Sequence, residues 1–75
     1  MTITDDHQDA FDRGLQNDGI GGEATHLALE AKALEQSDPF RACMRARDAA
    51  KKNCCYVLWS EQFVGRVNRA IASNL

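Results

Sequence analysis

From Glu23 to Gln36 the apolar positions Ala24, Leu27, Ala28, Ala31 and Leu34 recur at steps of three and four, and Leu29 widens the stripe. That is the spacing of one face of an α-helix. A second and stronger stripe lies near the end of the chain, where Tyr56, Trp59, Phe63, Val67 and Ala70 follow the same steps and Val57, Val64, Ile71 and Leu75 form a neighbouring row. The first segment is thinner: Phe11 and Leu15 are four apart on one face with His7 below them. Its start, Thr4-Asp5-Asp6, offers a capping residue followed by acids that suit the positive end of a helix dipole.

The punctuation between these stripes sets the elements. Asn17-Asp18-Gly19-Ile20-Gly21-Gly22 gathers three of the five glycines and reads as a turn. Ser37-Asp38-Pro39 supplies a cap and then a proline at the first turn of a new helix, where its missing N–H costs nothing. After Pro39 only Gly65 interrupts good helix formers, and one helix could run to the end as a rod of roughly 50 Å at 1.5 Å per residue. A domain of this size has a radius of gyration of about 11 Å, so such a rod must break or pair with another. Lys51-Lys52-Asn53 is the natural break, with cations for a helix C-terminus and an asparagine that tolerates a left-handed C-cap. The expected fold is all-α, with three to four helices at about 5–16, 23–36, 38–52 and 54–73, the last two joined if the break fails.

Length then limits the core. Seventy-five residues make one domain, 1–75, that buries only roughly 60 % of its unfolded surface. The apolar fraction is 44 %, much of it alanine, so the aromatic C-terminal stripe exceeds what Phe11, Leu15, Leu27 and Leu34 can readily cover. This segment is expected to carry the core, Trp59 included; the expected remedy for its excess is a helical homodimer through Tyr56 to Ile71, with Tyr56, Trp59, Phe63 and Val67 as the candidate contact residues. No stretch reaches the about 18 to 20 apolar residues of a membrane span, and acids stand where a secretory signal would be basic and then apolar. Three cysteines, Cys43, Cys54 and Cys55, make no regular disulfide framework, and a reducing, cytoplasmic setting is expected. Cys43 and one of the vicinal pair are expected in the core.

Charge is divided along the chain. Residues 1–38 carry nine acids and two bases, net minus seven; residues 39–75 carry two acids and seven bases, net plus five; the sum is minus two. Such a split favours antiparallel self-association, docking of one half on the other, or separate partners for each. Asp5, Asp9 and Asp12 share a helix face that could dock on a basic partner. Arg41, Arg45, Arg47, Lys51 and Lys52 fall within twelve positions and could hold phosphates in a DNA-binding dimer, although the acidic half repels the same backbone.

Catalytic chemistry has no foothold in these residues. His7 and His26 have no acid or nucleophile at a readable spacing. With Cys43, Cys54 and Cys55 they lack the paired-ligand turn of a zinc site, and the glycine cluster lacks the preceding strand and following lysine of a phosphate loop. Neither a cofactor nor an enzymatic activity is expected. The expected function is that of a small protein-binding regulator or inhibitor of a larger host or cellular protein, of the size and plainness of a phage-encoded antagonist; the alternative is the DNA-binding dimer.

Overall fold

The computed structural model describes residues 3–73, with side chains from Asp9 to Ser73, and its helices α1 (Ile3–Asp18), α2 (Glu23–Leu34), α3 (Pro39–Lys52) and α4 (Val57–Ser73) enclose one core. A 3-10 turn, Cys54–Tyr56, joins α3 to α4. The fold is all-α, as the periodicity predicts. The chain does break after Lys52, and the longest extent of the molecule is 37 Å with a radius of gyration of 11.8 Å.

Each helix end has a local cause. α1 runs to Asp18, where Gly19 takes φ +84° and returns its N–H to the Leu15 carbonyl at 2.8 Å. That is the left-handed C-cap a glycine adopts without steric cost. Gly22 stands at the N-cap of α2 without a side chain, and Asp18 does the capping from the helix before: its Oδ2 accepts the Thr25 N–H at 2.9 Å. α2 stops at Leu34, two residues short of the expected Gln36. Asp38 precedes a proline and is held at φ −149°, ψ 78°, and Glu35 N–H turns back to Lys32 at 3.4 Å, so the last turn tightens before the corner. Asp38 then caps α3 as expected, its side chain accepting the Arg41 N–H at 3.2 Å with Pro39 at the first helical position.

The break at Asn53 has a different geometry from the expected left-handed cap. Asn53 is extended at φ −147°, ψ 116°, because its side chain caps the 3-10 turn: Oδ1 accepts the Cys55 N–H at 3.0 Å. Its Nδ2 donates to Asn17 Oδ1 at 2.9 Å and to Asp18 Oδ1 at 3.2 Å, tying the turn to the end of α1.

Packing removes the four expected contact residues of the C-terminal segment from the surface. Tyr56, Trp59, Phe63 and Val67 are between 0 and 4 % exposed within a single chain, so they are interior and not a face for a second copy. The expectation undercounted the cover. Ala24, Ala28 and Ala31 of α2 and Ala42, Ala46 and Ala49 of α3 are all buried, and α2 and α3 form the most extensive helix pair. Small side chains bring backbones close, so contact is gained by proximity where side-chain volume is lacking. Phe11 completes the cluster, its ring 5.9 Å from Tyr56 and 5.7 Å from Trp59, with Trp59 to Phe63 at 5.1 Å. Such tilted and edge-on pairs add stabilisation beyond their area.

Two details lock Tyr56. Its hydroxyl shares a 2.7 Å hydrogen bond with Thr25 Oγ1, both residues being 0 % exposed. Its ring also lies against Gly14, where an added Cβ would come within 2.5 Å of the ring carbons. A mid-helix glycine costs roughly 1 kcal/mol relative to alanine, and here it permits the closest approach of α1 to the turn.

Candidate protein-contact surface

With the aromatic stripe inside, the exposed large apolar side chains are Ile20, Leu29, Phe40, Met44, Val57 and Leu58, and of these Phe40 and Met44 stand one turn apart on α3. α3 buries Ala42, Cys43, Ala46 and Ala49 and therefore turns Phe40, Met44, Arg47 and Lys51, at steps of four, three and four, outward along one stripe. Phe40 is 72 % and Met44 58 % exposed, one turn apart. Two large apolar residues held in water on a well-anchored helix are a concentrated exposed patch, and guanidinium and ammonium groups continue it toward the C-terminus of α3. The signal was present in the sequence: Phe40 and Met44 fall off the small-residue stripe that α3 needs for packing.

The basic side chains expected to hold phosphate fall into two groups, paired and unpaired among the described residues. Arg45 Nε lies 3.3 Å from Glu30 Oε1, without the alignment of a hydrogen bond, and its Nη1 lies 3.5 Å from Asp48. Lys52 pairs with Glu23 at 3.2 Å and Arg41 lies 3.8 Å from Asp38. Arg47 and Lys51 are exposed and make no ion pair among the described residues. Arg66 on α4 reaches Glu35 at 2.8 Å. The pairs Glu23–Lys52, Glu30–Arg45 and Glu35–Arg66 all join the acidic half to the basic half, so part of the charge split is consumed within the chain. Glu23–Lys52 is a surface pair worth at most about 1 kcal/mol, whereas Glu30–Arg45 and Glu35–Arg66 are partly covered.

The acidic candidates are less coherent. Asp9 is exposed on α1 and Asp12 is half-buried, whereas the Asp5 side chain lies outside the described residues. Asp9 shares a groove of about 180 Å³ with Arg13, Leu58 and Gln62, which places a cation beside the acid. A wider groove, about 430 Å³, lies between Ile20, Gly22, Glu23, His26, Leu27 and Lys52. Its rim charges, Glu23 and Lys52, already satisfy one another.

Among titrating groups, Asp18 is held below the ordinary carboxylate range chiefly by the Thr25 N–H, then by the Asn53 side chain. Burial pushes Cys43 and Tyr56 up, partly opposed by Arg47 and by the Thr25 hydrogen bond respectively. These shifts belong to packing and capping. Among the described residues no three of His, Cys, Asp and Glu converge as a metal would require, and no helix is long and apolar enough to cross a membrane. Cys43 is buried as expected, but Cys54 and Cys55 are both exposed, where one of them was expected in the core. The 3-10 turn is the reason: it commits Tyr56 to the interior and leaves the two residues before it outside.

Comparison with protein-family models, curated proteins and solved structures finds no match to this chain. The functional reading therefore rests on its own surface chemistry.

Proposed function

We propose that this chain is a small non-enzymatic regulator or inhibitor that acts by protein–protein contact, with the outer stripe of α3 as its docking face. The observation that supports this reading is the exposure of Phe40 and Met44 side by side on a helix whose other face is fixed by close packing. Aromatic residues and methionine are enriched at protein interfaces, and a helix face that is already ordered loses little entropy on docking. Arg41, Arg47 and Lys51 beside the apolar pair favour a partner that offers an apolar recess bordered by carboxylates.

The DNA-binding alternative is weakened by the same residues. Arg45 and Lys52 are engaged by acids of α2, Asp48 lies beside Arg45, and phosphate backbones have no use for the exposed Phe40 and Met44.

The test is retention from nuclease-treated lysate of the native host, comparing the wild-type chain with Phe40→Asp/Met44→Asp. A protein retained by the wild type should be lost by the variant, by a factor of roughly thirty if the pair is a hot spot worth about 2 kcal/mol. Far-UV circular dichroism should be unchanged, because both side chains are exposed. Equal retention by the variant would sink the assignment of the face. Retention of nucleic acid alone, lost steeply with salt, would favour the DNA reading.

A further inference from the structure

We propose that Cys54 and Cys55 form a dithiol site for a soft, thiophilic centre that takes two sulfur donors, of the class represented by trivalent arsenicals. Both thiols are free and exposed, whereas the third cysteine, Cys43, is buried among the alanines of the core. The pair is also held in place from both sides. Asn53, just before it, is hydrogen-bonded to Asn17, Asp18 and the Cys55 N–H. Tyr56, just after it, is 0 % exposed, bonded to Thr25, and returns its N–H to the Asn53 carbonyl at 3.0 Å. The anchors fix the backbone of the turn, in which consecutive side chains point about 120° apart, so closing the bridge falls to the χ1 rotations of the two exposed thiols.

Geometry selects the class of ligand. Consecutive Cα atoms are about 3.8 Å apart across a trans peptide, below the about 4.4 Å at which disulfides begin. A direct bond between these neighbours is therefore strained, and the dithiol is the favoured state in a reducing setting. Inserting one atom between the sulfurs enlarges the ring and lets them sit at a non-bonded separation. Zinc wants four ligands, and no third histidine, cysteine or carboxylate converges on the turn among the described residues. A soft centre content with two thiolates fits the donor set.

The reaction balances without an oxidant or reductant. An organoarsenous acid, R–As(OH)2, meets two thiols; two As–O and two S–H bonds break, two As–S bonds form, and two water molecules leave.

Phenylarsine oxide is the probe. One equivalent added to the full chain should give a one-to-one adduct by intact-mass spectrometry that survives excess glutathione and is removed by 2,3-dimercaptopropanol. Cys54→Ser and Cys55→Ser should each lose the glutathione-resistant adduct, and Cys43→Ala should keep it. Circular dichroism of the two serine variants should match that of the wild type, because both positions are exposed. An adduct that glutathione strips from the wild type, one that persists in either serine variant, or a probe bridging two chains as a covalent dimer would each overturn the assignment.

Discussion

Replacing Thr25 with valine tests whether the fold depends on a buried hydroxyl pair. Thr25 and Tyr56 are both 0 % exposed and joined at 2.7 Å, linking α2 to the turn that opens α4. Valine matches threonine in shape and leaves the Tyr56 hydroxyl buried without its partner, a loss of about 1–3 kcal/mol. Against a total of about 4 to 11 kcal/mol expected for 75 residues, that is a large fraction. With a urea slope near 1 kcal/mol/M the midpoint should fall by about 1 to 3 M. Tyr56→Phe should cost less, because a helical threonine can turn its hydroxyl back to a preceding carbonyl and Asp18 is beside it. The double variant Thr25→Val/Tyr56→Phe should lie close to the better single variant, since an apolar pair leaves nothing unsatisfied. The sum of the two single losses should exceed the double by about 1 kcal/mol or more. Strict additivity, or a Thr25→Val loss under about 0.5 kcal/mol, would show that the hydroxyl pair is not what holds α2 to the turn.

The junction around α1 offers three further perturbations. Gly14→Ala should destabilise by about 1–3 kcal/mol despite alanine's better helix propensity, because its Cβ overlaps the Tyr56 ring; a raised melting temperature would contradict the packing. Asn53→Ala removes the Cys55 cap and the bonds to Asn17 and Asp18, and should cost about 1–2 kcal/mol with faster hydrogen exchange at the Cys55 amide; unchanged exchange there would count against the cap. The pKa of Asp18 is lowered in the fold, first by the Thr25 N–H and next by Asn53, so its contribution is complete above the ordinary carboxylate pKa and is lost as pH falls through the depressed one. Asp18→Asn should therefore reduce stability at neutral pH and flatten the decline in acid; an acid limb as steep as that of the wild type would assign the pH dependence elsewhere.

What could be read from the residues was what they determine locally. The Asp38-Pro39 corner and the helix stripes depend on neighbours within a turn or two, and both were legible. So was the break after Lys52, though not its form, because the extended Asn53 is stabilised by Asn17 and Asp18, 36 and 35 residues away. The aromatic stripe was legible as apolar but not as covered. Its cover comes from alanines whose value lies in how closely two helices approach, and periodicity does not report that distance. The same holds for the surface: Glu23 with Lys52 and Glu35 with Arg66 are distant in sequence, so the basic cluster could not be seen to be partly neutralised. Phe40 and Met44 were not singled out in the sequence, because their exposure follows from which face of α3 the alanines and Cys43 bury.

The Tyr56–Val67 stripe is closed within one chain, and the proposed contact face on α3 depends on that closure. Trp59 is the single tryptophan and is 4 % exposed without a second copy, which makes its fluorescence a direct reporter. Acrylamide quenching measured across a wide dilution series should show low accessibility that does not change with concentration. Quenching that rises on dilution would mean that a second chain covers Trp59, and would return the contact surface to the C-terminal helix.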